Sequence, residues 1–187
     1  LMFEHDEFIK PGTTPEIIAK LRPAFRNEGG SVTAGNASGL NDGSAALLLA
    51  NEAGLKEQGL EPLAEIVSSA VVGVEPRIMG IGPVKASELA LQRAGIGFDE
   101  LDVIELNEAF AAQALACIRQ WGLADDDKRI NPNGGGISLG HPLGVTGSRI
   151  LLAAARQLKR TGGKFGLVTL CIGVGQGYAV VIKNTQA

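Results

Sequence analysis

The sequence predicts an α/β layered domain with a mixed sheet and helices on both faces. Three observations carry this expectation. From residue 64 onward, valine- and isoleucine-rich runs alternate with segments of helical periodicity, as in a sheet covered by crossover helices. The last two runs are separated by a short glycine-rich turn, so they form a hairpin-like pair and make the sheet mixed. Finally, the segment 145–158 is apolar around most of a helical circumference. Such a helix is expected to be buried on nearly all sides.

The elements follow in order. Residues 1–12 are polar and irregular. Thr14, Pro15 and Glu16 form a helix start of cap, proline and acid, with the helix expected to end near Pro23. Residues 27–44 are rich in glycine, serine and asparagine. They read as a long ordered loop, either a linker or a backbone lining for a ligand tunnel. The apolar run 45–50 is expected to be a buried strand. Asn51 caps a helix that Gly59 stops. A strand is expected over 64–74, a loop over 75–83 and a helix over 84–94, ended by Gly95. Leu101–Leu106 reads as a strand that runs into a helix reaching about Trp121. Residues 125–128 form a charged surface loop. The glycine-rich stretch 131–148 follows and feeds its helix. Strands at 165–170 and 178–183 flank the turn GVGQG.

The composition excludes several classes. Seventeen basic residues against twenty acidic ones give a net charge of -3, which disfavours nucleic acid and anionic membranes as partners. No apolar run approaches the length of a membrane span. The two cysteines, Cys117 and Cys171, do not form a secreted disulfide framework and fit a reducing, cytoplasmic compartment. With two histidines and two cysteines far apart, no metal-ligand spacing is present, so no metal is expected. The opening LMFEHDEF has no start methionine and is read as a segment inside a longer protein. The final NTQA carries no peroxisomal or ER-retention signal.

Three residues stand where strands end and helices begin, the usual place for α/β sites. His141 lies in the glycine loop, with a side chain that exchanges protons near neutral pH. Cys171 ends a buried strand and is followed by Gly173, Gly175 and Gly177, whose amides could meet an oxyanion. Asn107 ends another strand and could hold a water or a carbonyl oxygen. Each has a plainer alternative: a loop-bonding histidine, a core cysteine and a helix cap. Cys117, among Ala114, Leu115, Ala116 and Ile118, reads as core packing. The glycine loops lack both the P-loop lysine and the dinucleotide fingerprint.

With these residues in hand, the chain resembles the C-terminal half of a thiolase (acetyl-CoA C-acyltransferase). The matching motifs are NEAFAAQ at 107–113, NPNGG…GHPLG at 131–144 and CIGVGQG at 171–177. AKLRPAF at 19–25 and TAGNASGLNDG at 33–43 match as well, so the resemblance covers essentially the whole chain.

The resemblance implies a five-layered fold of two similar halves, of which only the C-terminal one is here. Residues 1–60 would be the tail of the N-terminal region with a CoA-contacting segment, and 61–187 the C-terminal domain. It implies His141 as the base that activates a nucleophilic cysteine and Cys171 as the acid/base at the substrate α-carbon. Asn107 and His141 would form one oxyanion hole, and Gly173 a second. Lys10, Ala34, Ser38 and Gly39 would contact CoA, and Met79 and Phe110 would flank the acyl pocket.

The implied reaction is thiolytic cleavage of a 3-oxoacyl-CoA by CoA, or the reverse Claisen condensation. Coenzyme A is then a substrate, with no permanently bound cofactor. EPRIMGIGP and DDDKRINPNGG look most like enzymes of the acetoacetyl-CoA or 3-oxoadipyl-CoA type. A homo-oligomer is expected, and the N-terminal half is the missing partner. Neither Cys117 nor Cys171 lies in the nucleophile's motif, so the chain alone is expected to be inactive. The alternative is an inactive fragment or a thiolase-like acyl-CoA- or lipid-binding protein.

Overall fold

The computed structural model describes Met2 and residues 4–187. Leu1 and Phe3, part of the irregular start expected over 1–12, lie outside the described residues. Four strands form one mixed sheet in the order β1-β4-β3-β2, with β1 at Glu65–Gly73, β2 at Leu101–Leu106, β3 at Phe165–Ile172 and β4 at Gln176–Lys183. β2 and β3 are parallel, while β4 is antiparallel to both β3 and β1. The parallel pair matters most for the site, because it brings the C-terminal ends of β2 and β3 to one edge of the sheet.

Period-two alternation sorts the strand residues between two helical layers. Leu101, Ile104, Leu167, Ala179 and Val181 meet Ala86, Ala90 and Leu91 of helix α3 (Gly82–Ala94). On the opposite face Val103, Val168, Val180 and Ile182 meet Ile150, Ala154, Ala155 and Leu158 of helix α6 (Thr146–Thr161). A third cluster joins Val84 and Leu106 to Ala114, Cys117 and Ile118 of helix α4 (Ala111–Gln120). Each fully buried aliphatic side chain here contributes roughly 1.5–3 kcal/mol. The expected α/β architecture with helices on both faces is therefore present.

Local chemistry accounts for the boundaries. The short α1 (Pro15–Ile18) starts under Thr14, whose hydroxyl accepts from the Ile17 amide. It ends well before Pro23, a correction to the expected length. Asn51 caps α2 (Glu52–Gln58), and Gly59, at φ 62°, stops it in the left-handed region.

Three further expectations are corrected. Residues 45–50 form no strand and are exposed, with Leu48 at 81% and Leu49 at 73%, because no described strand lies beside them. The loop expected over 75–83 contains a 3-10 turn at Pro76–Ile81, initiated by a proline whose φ already suits it. Helix α6 buries only one face. Leu151, Leu152 and Ala153 are half-buried, because the sheet covers just the Ile150–Ala154–Leu158 stripe.

Within the described part of 1–60, Thr33 alone is buried. This arm is held by polar contacts. The Ser38 amide donates to the Ala109 carbonyl and the Ala111 amide to the Asn36 carbonyl, at 3.0 and 2.9 Å. The second bond satisfies a free N–H at the start of α4, whose cap residue, Phe110, offers no side-chain acceptor.

Candidate active site

The site begins where β2 stops. The Asn107 amide donates to the Thr169 carbonyl of β3 at 3.0 Å, tying the two strand ends together. Asn131 then braces the end of β2. Its Oδ1 accepts from the Leu106 amide, and its Nδ2 donates to the Leu106 carbonyl and to Glu108 Oε1. Asn131 does this from φ 45°, a conformation that asparagine tolerates better than most residues. Glu108 Oε2 accepts from the Ile137 amide in α5 (Gly136–Leu139), which fastens the glycine loop to the sheet. The helix-cap alternative for Asn107 is overturned, since α4 begins at Ala111 with Phe110 as its cap residue.

Gly140 ends α5 at φ 98°. A Cβ there would lie 2.7 Å from the Asn41 amide group, so only glycine fits. The His141 amide donates to Asn41 Oδ1 at 3.1 Å, across 100 residues of sequence. The ring lies between two partners. Nδ1 is 2.7 Å from Thr146 Oγ1, and Nε2 is 3.3 Å from Asn107 Nδ2.

The Thr146 hydroxyl also lies 3.0 Å from the Pro142 carbonyl; donating there, it accepts from His141 Nδ1–H. Nε2 then carries the lone pair and accepts from the Asn107 amide. The chain of hydrogen bonds is directional and presents a neutral imidazole. Burial, reinforced by the nearby Arg149 cation, holds its pKa below the ordinary histidine value. Asn107 is 1% exposed, and its Oδ1 has no partner, leaving an acceptor free beside the ring.

Cys171 sits at the end of β3, opposite Gly177 of β4. Burial pushes its thiol up, so it is protonated at neutral pH and can donate a proton. Among the described residues no hydrogen bond joins Cys171 to His141 or Asn107; the three share the same end of the sheet. Gly173 follows in the exposed turn, with open space where a Cβ would be. The turn is tight, since Val174 adopts φ 61° and the Gly175 carbonyl accepts from the Val74 amide at 2.7 Å. Cys117 is the core residue expected. Its thiol donates to the Gly80 carbonyl, and burial pushes it up to about 12.

Lys10 and Ala34 line one groove of about 500 Å³, with Ile17, Ile18 and Leu21 as its apolar wall. The Lys10 ammonium donates to the Glu7 carbonyl at its exposed rim. Ser38 is bonded to the Ala109 carbonyl, and Gly39 lies beneath the Phe8 ring, where a side chain would collide. Phe110 stacks edge-on against Phe25 at 5.9 Å. Met79 belongs to the 3-10 turn that Gln113 and Cys117 hold at Gly80.

Sequence reasoning missed Thr146, Asn41, Glu108, Asn131, Glu105 and Arg149. Thr146 and Asn131 lie within the glycine stretch, where their polarity was a usable signal. Asn41 had none, because its partner is a hundred residues away.

Comparison with known proteins gives the family. Residues 60–184 match the thiolase C-terminal domain, and residues 1–53 the thiolase N-terminal domain. The chain is 54% identical to the 3-oxoadipyl-CoA/3-oxo-5,6-dehydrosuberyl-CoA thiolase of Escherichia coli K12 over 97% of its length and 45% of that protein's. It is 54% identical to a beta-ketoadipyl-CoA thiolase of Pseudomonas aeruginosa, again over 45% of that protein. Human mitochondrial 3-ketoacyl-CoA thiolase superposes with a TM-score of 0.91 at 48% identity, covering 96% of this chain and 45% of the human one. The chain thus spans about half the length of the relatives it matches. On its sequence match over residues 60–184 and its shared fold, it belongs to the thiolase family.

Proposed function

We propose that this chain supplies the C-terminal part of a thiolase active centre, one that cleaves a 3-oxoacyl-CoA with CoA or runs the reverse Claisen condensation. The observation that carries this reading is the chain of contacts from Asn107 through His141 to Thr146, which holds the imidazole at the end of the sheet where β3 also ends in Cys171.

In cleavage, His141 Nε2 takes the proton of a nucleophilic cysteine contributed from outside this chain. That thiolate attacks the substrate's 3-carbonyl carbon. The C2–C3 bond then breaks, leaving the acyl group on the nucleophile as a thioester and an acetyl-CoA enolate. Cys171 gives its thiol proton to C2 of the enolate. Once protonated at Nε2, His141 can donate toward the thioester oxygen, next to the polar Asn107, and so stabilise the developing charge. The Gly173 amide serves the acyl-enzyme oxygen. Finally CoA gives its thiol proton to the Cys171 thiolate and its sulfur takes the acyl group; the nucleophile leaves as a thiolate and recovers its proton from His141 Nε2.

Lys10, Ala34, Ser38 and Gly39 would hold the CoA moiety, and Met79 and Phe110 the acyl chain. The relatives' names favour 3-oxoadipyl-CoA over acetoacetyl-CoA as substrate. Two unpaired cysteines suit a cytoplasmic setting, and the family resemblance supports a homo-oligomer.

The test is a chimera in which this chain replaces the matching part of the E. coli relative, assayed for thiolysis of 3-oxoadipyl-CoA and acetoacetyl-CoA. Turnover that His141→Ala and Cys171→Ala abolish is expected. A folded chimera without turnover, or one indifferent to both substitutions, sinks the reading. Substantial turnover by the 187-residue chain alone would refute an external nucleophile.

A further inference from the structure

Arg149 stands where a helix does not favour a cation. It is the fourth residue of α6, close to the positive end of the helix dipole, and the first turn contains no acid to offset it. Its Nε and Nη2 are buried without a hydrogen-bond partner. Across from it on β2, Glu105 is 1% exposed, and its Oε1 is equally unpartnered. Glu105 and Asn107 share the strand face of Val103, the face that packs against α6. Among the described residues no ion pair within 4.0 Å joins Arg149 to Glu105. Buried charge of this kind is a weak stabiliser, and apolar replacements commonly serve the fold as well or better. Its placement therefore calls for a reason beyond packing: Arg149 lies one helical turn after Thr146, the residue that bonds the His141 ring, and a long side chain at that position leans back toward it.

We propose that Arg149 is a positioning residue of this site: a fixed cation at the start of α6 that holds the His141 ring in its proton-accepting state, with Glu105 as its counter-charge. The inference rests on the reading of His141 as a base. The charged and titratable groups that face this layer are few. Arg149 comes from α6, Glu105 from β2 and the Tyr178 phenol from β4. Glu108, beyond β2, is committed to Asn131 and the Ile137 amide. The same cation acts on two proton acceptors. It opposes protonation of His141, and it opposes the burial that pushes the Glu105 carboxyl up to about 7. Removing it should raise both titrations, an outcome that a purely structural arginine would not produce.

The experiment is an NMR titration of the 187-residue chain with labelled histidine and glutamate side chains. The chain has only two histidines, so His5→Gln assigns the His141 signal, and Glu105→Gln assigns the carboxyl. In Arg149→Gln both midpoints are expected to rise by about half a pH unit or more. Arg149→Lys, which keeps the charge, leaves both near their original values. A folded Arg149→Gln protein with either midpoint unmoved overturns the proposal, as does a lysine variant that shifts like the glutamine one. If Arg149→Gln does not fold, the unmutated chain decides. The Arg149 Nε resonance should move with the Glu105 titration, and a flat resonance is contrary to the proposal. The readout needs no acyl transfer, so an inactive chimera would refute the catalytic reading while leaving this result intact.

Discussion

Asn107 Nδ2 and His141 Nε2 stand 3.3 Å apart, joined across 34 residues of sequence. The amide arrives from the end of a strand and the ring from a glycine loop. Their meeting depends on Asn131 and Glu108, which pin that loop to the strand. The contact sets the Nε2 side of the His141 ring against the end of β2.

Replacing Asn107 with alanine removes the ring's amide partner and the free acceptor beside it. In the chimera, kcat should fall by roughly 10²- to 10³-fold, within the range that a positioned general base contributes. KM should change little. Steady-state thiolysis kinetics check this, and a fall in kcat of less than severalfold would contradict the assigned role.

Thr146→Val takes away the acceptor for His141 Nδ1–H and leaves a buried N–H unpaired. Stability should drop by about 1–3 kcal/mol in urea unfolding. The ring's ¹⁵N shifts should show the Nδ1–H tautomer losing its dominance. Unchanged tautomer populations in the folded variant would mean that Thr146 does not set the proton's place.

Glu105 makes stability depend on pH. Its folded pKa is raised from 4.5 to about 7, so the folded state holds a proton that the unfolded state has lost. Stability from this group is full below pH 4.5 and declines as pH rises through 7. The loss is on the order of 3 kcal/mol for a shift of this size. Urea unfolding across that interval should show the decline in the native protein and a flatter profile in Glu105→Gln. An equally steep profile in the variant would assign the effect to other groups.

Gly177→Ala should be severely destabilising although the residue lies in an ordinary strand. Its missing side chain is where the Gly82 backbone of α3 sits, and an added Cβ would collide with main-chain atoms that cannot swing away. A loss of about 1–3 kcal/mol or more is expected, read as a fall in Tm. A Tm within a degree or so of the native value would show that the helix can back off freely.

What the sequence made legible was what local chemistry decides. Asn51 and Gly59 bracket a helix because cap and left-handed stop are short-range preferences, and Leu101–Leu106 is a short, mostly apolar run of strand length. His141 and Cys171 were visible as polar, reactive residues at the ends of elements. The apolar run 45–50 misled because hydrophobicity states a need for cover without supplying it, and no described strand lies alongside. Helix α6 misled for the same reason: its second apolar face is real, but the sheet reaches only one. Asn41 was invisible because its role exists only through a partner a hundred residues away.

The bond from the His141 amide to Asn41 has a thermodynamic consequence. Asn41 closes an arm that carries Ala34, Ser38 and Gly39 and buries almost nothing of its own, so the arm's order is cheaply changed. Any molecule that settles on that arm also alters the free energy of the loop holding the imidazole. Reciprocity then requires that protonation of His141 change that molecule's affinity by the same factor. Binding on the arm and proton affinity at the ring would then be two readings of a single coupling energy, transmitted through Asn41 and the arm's other contacts.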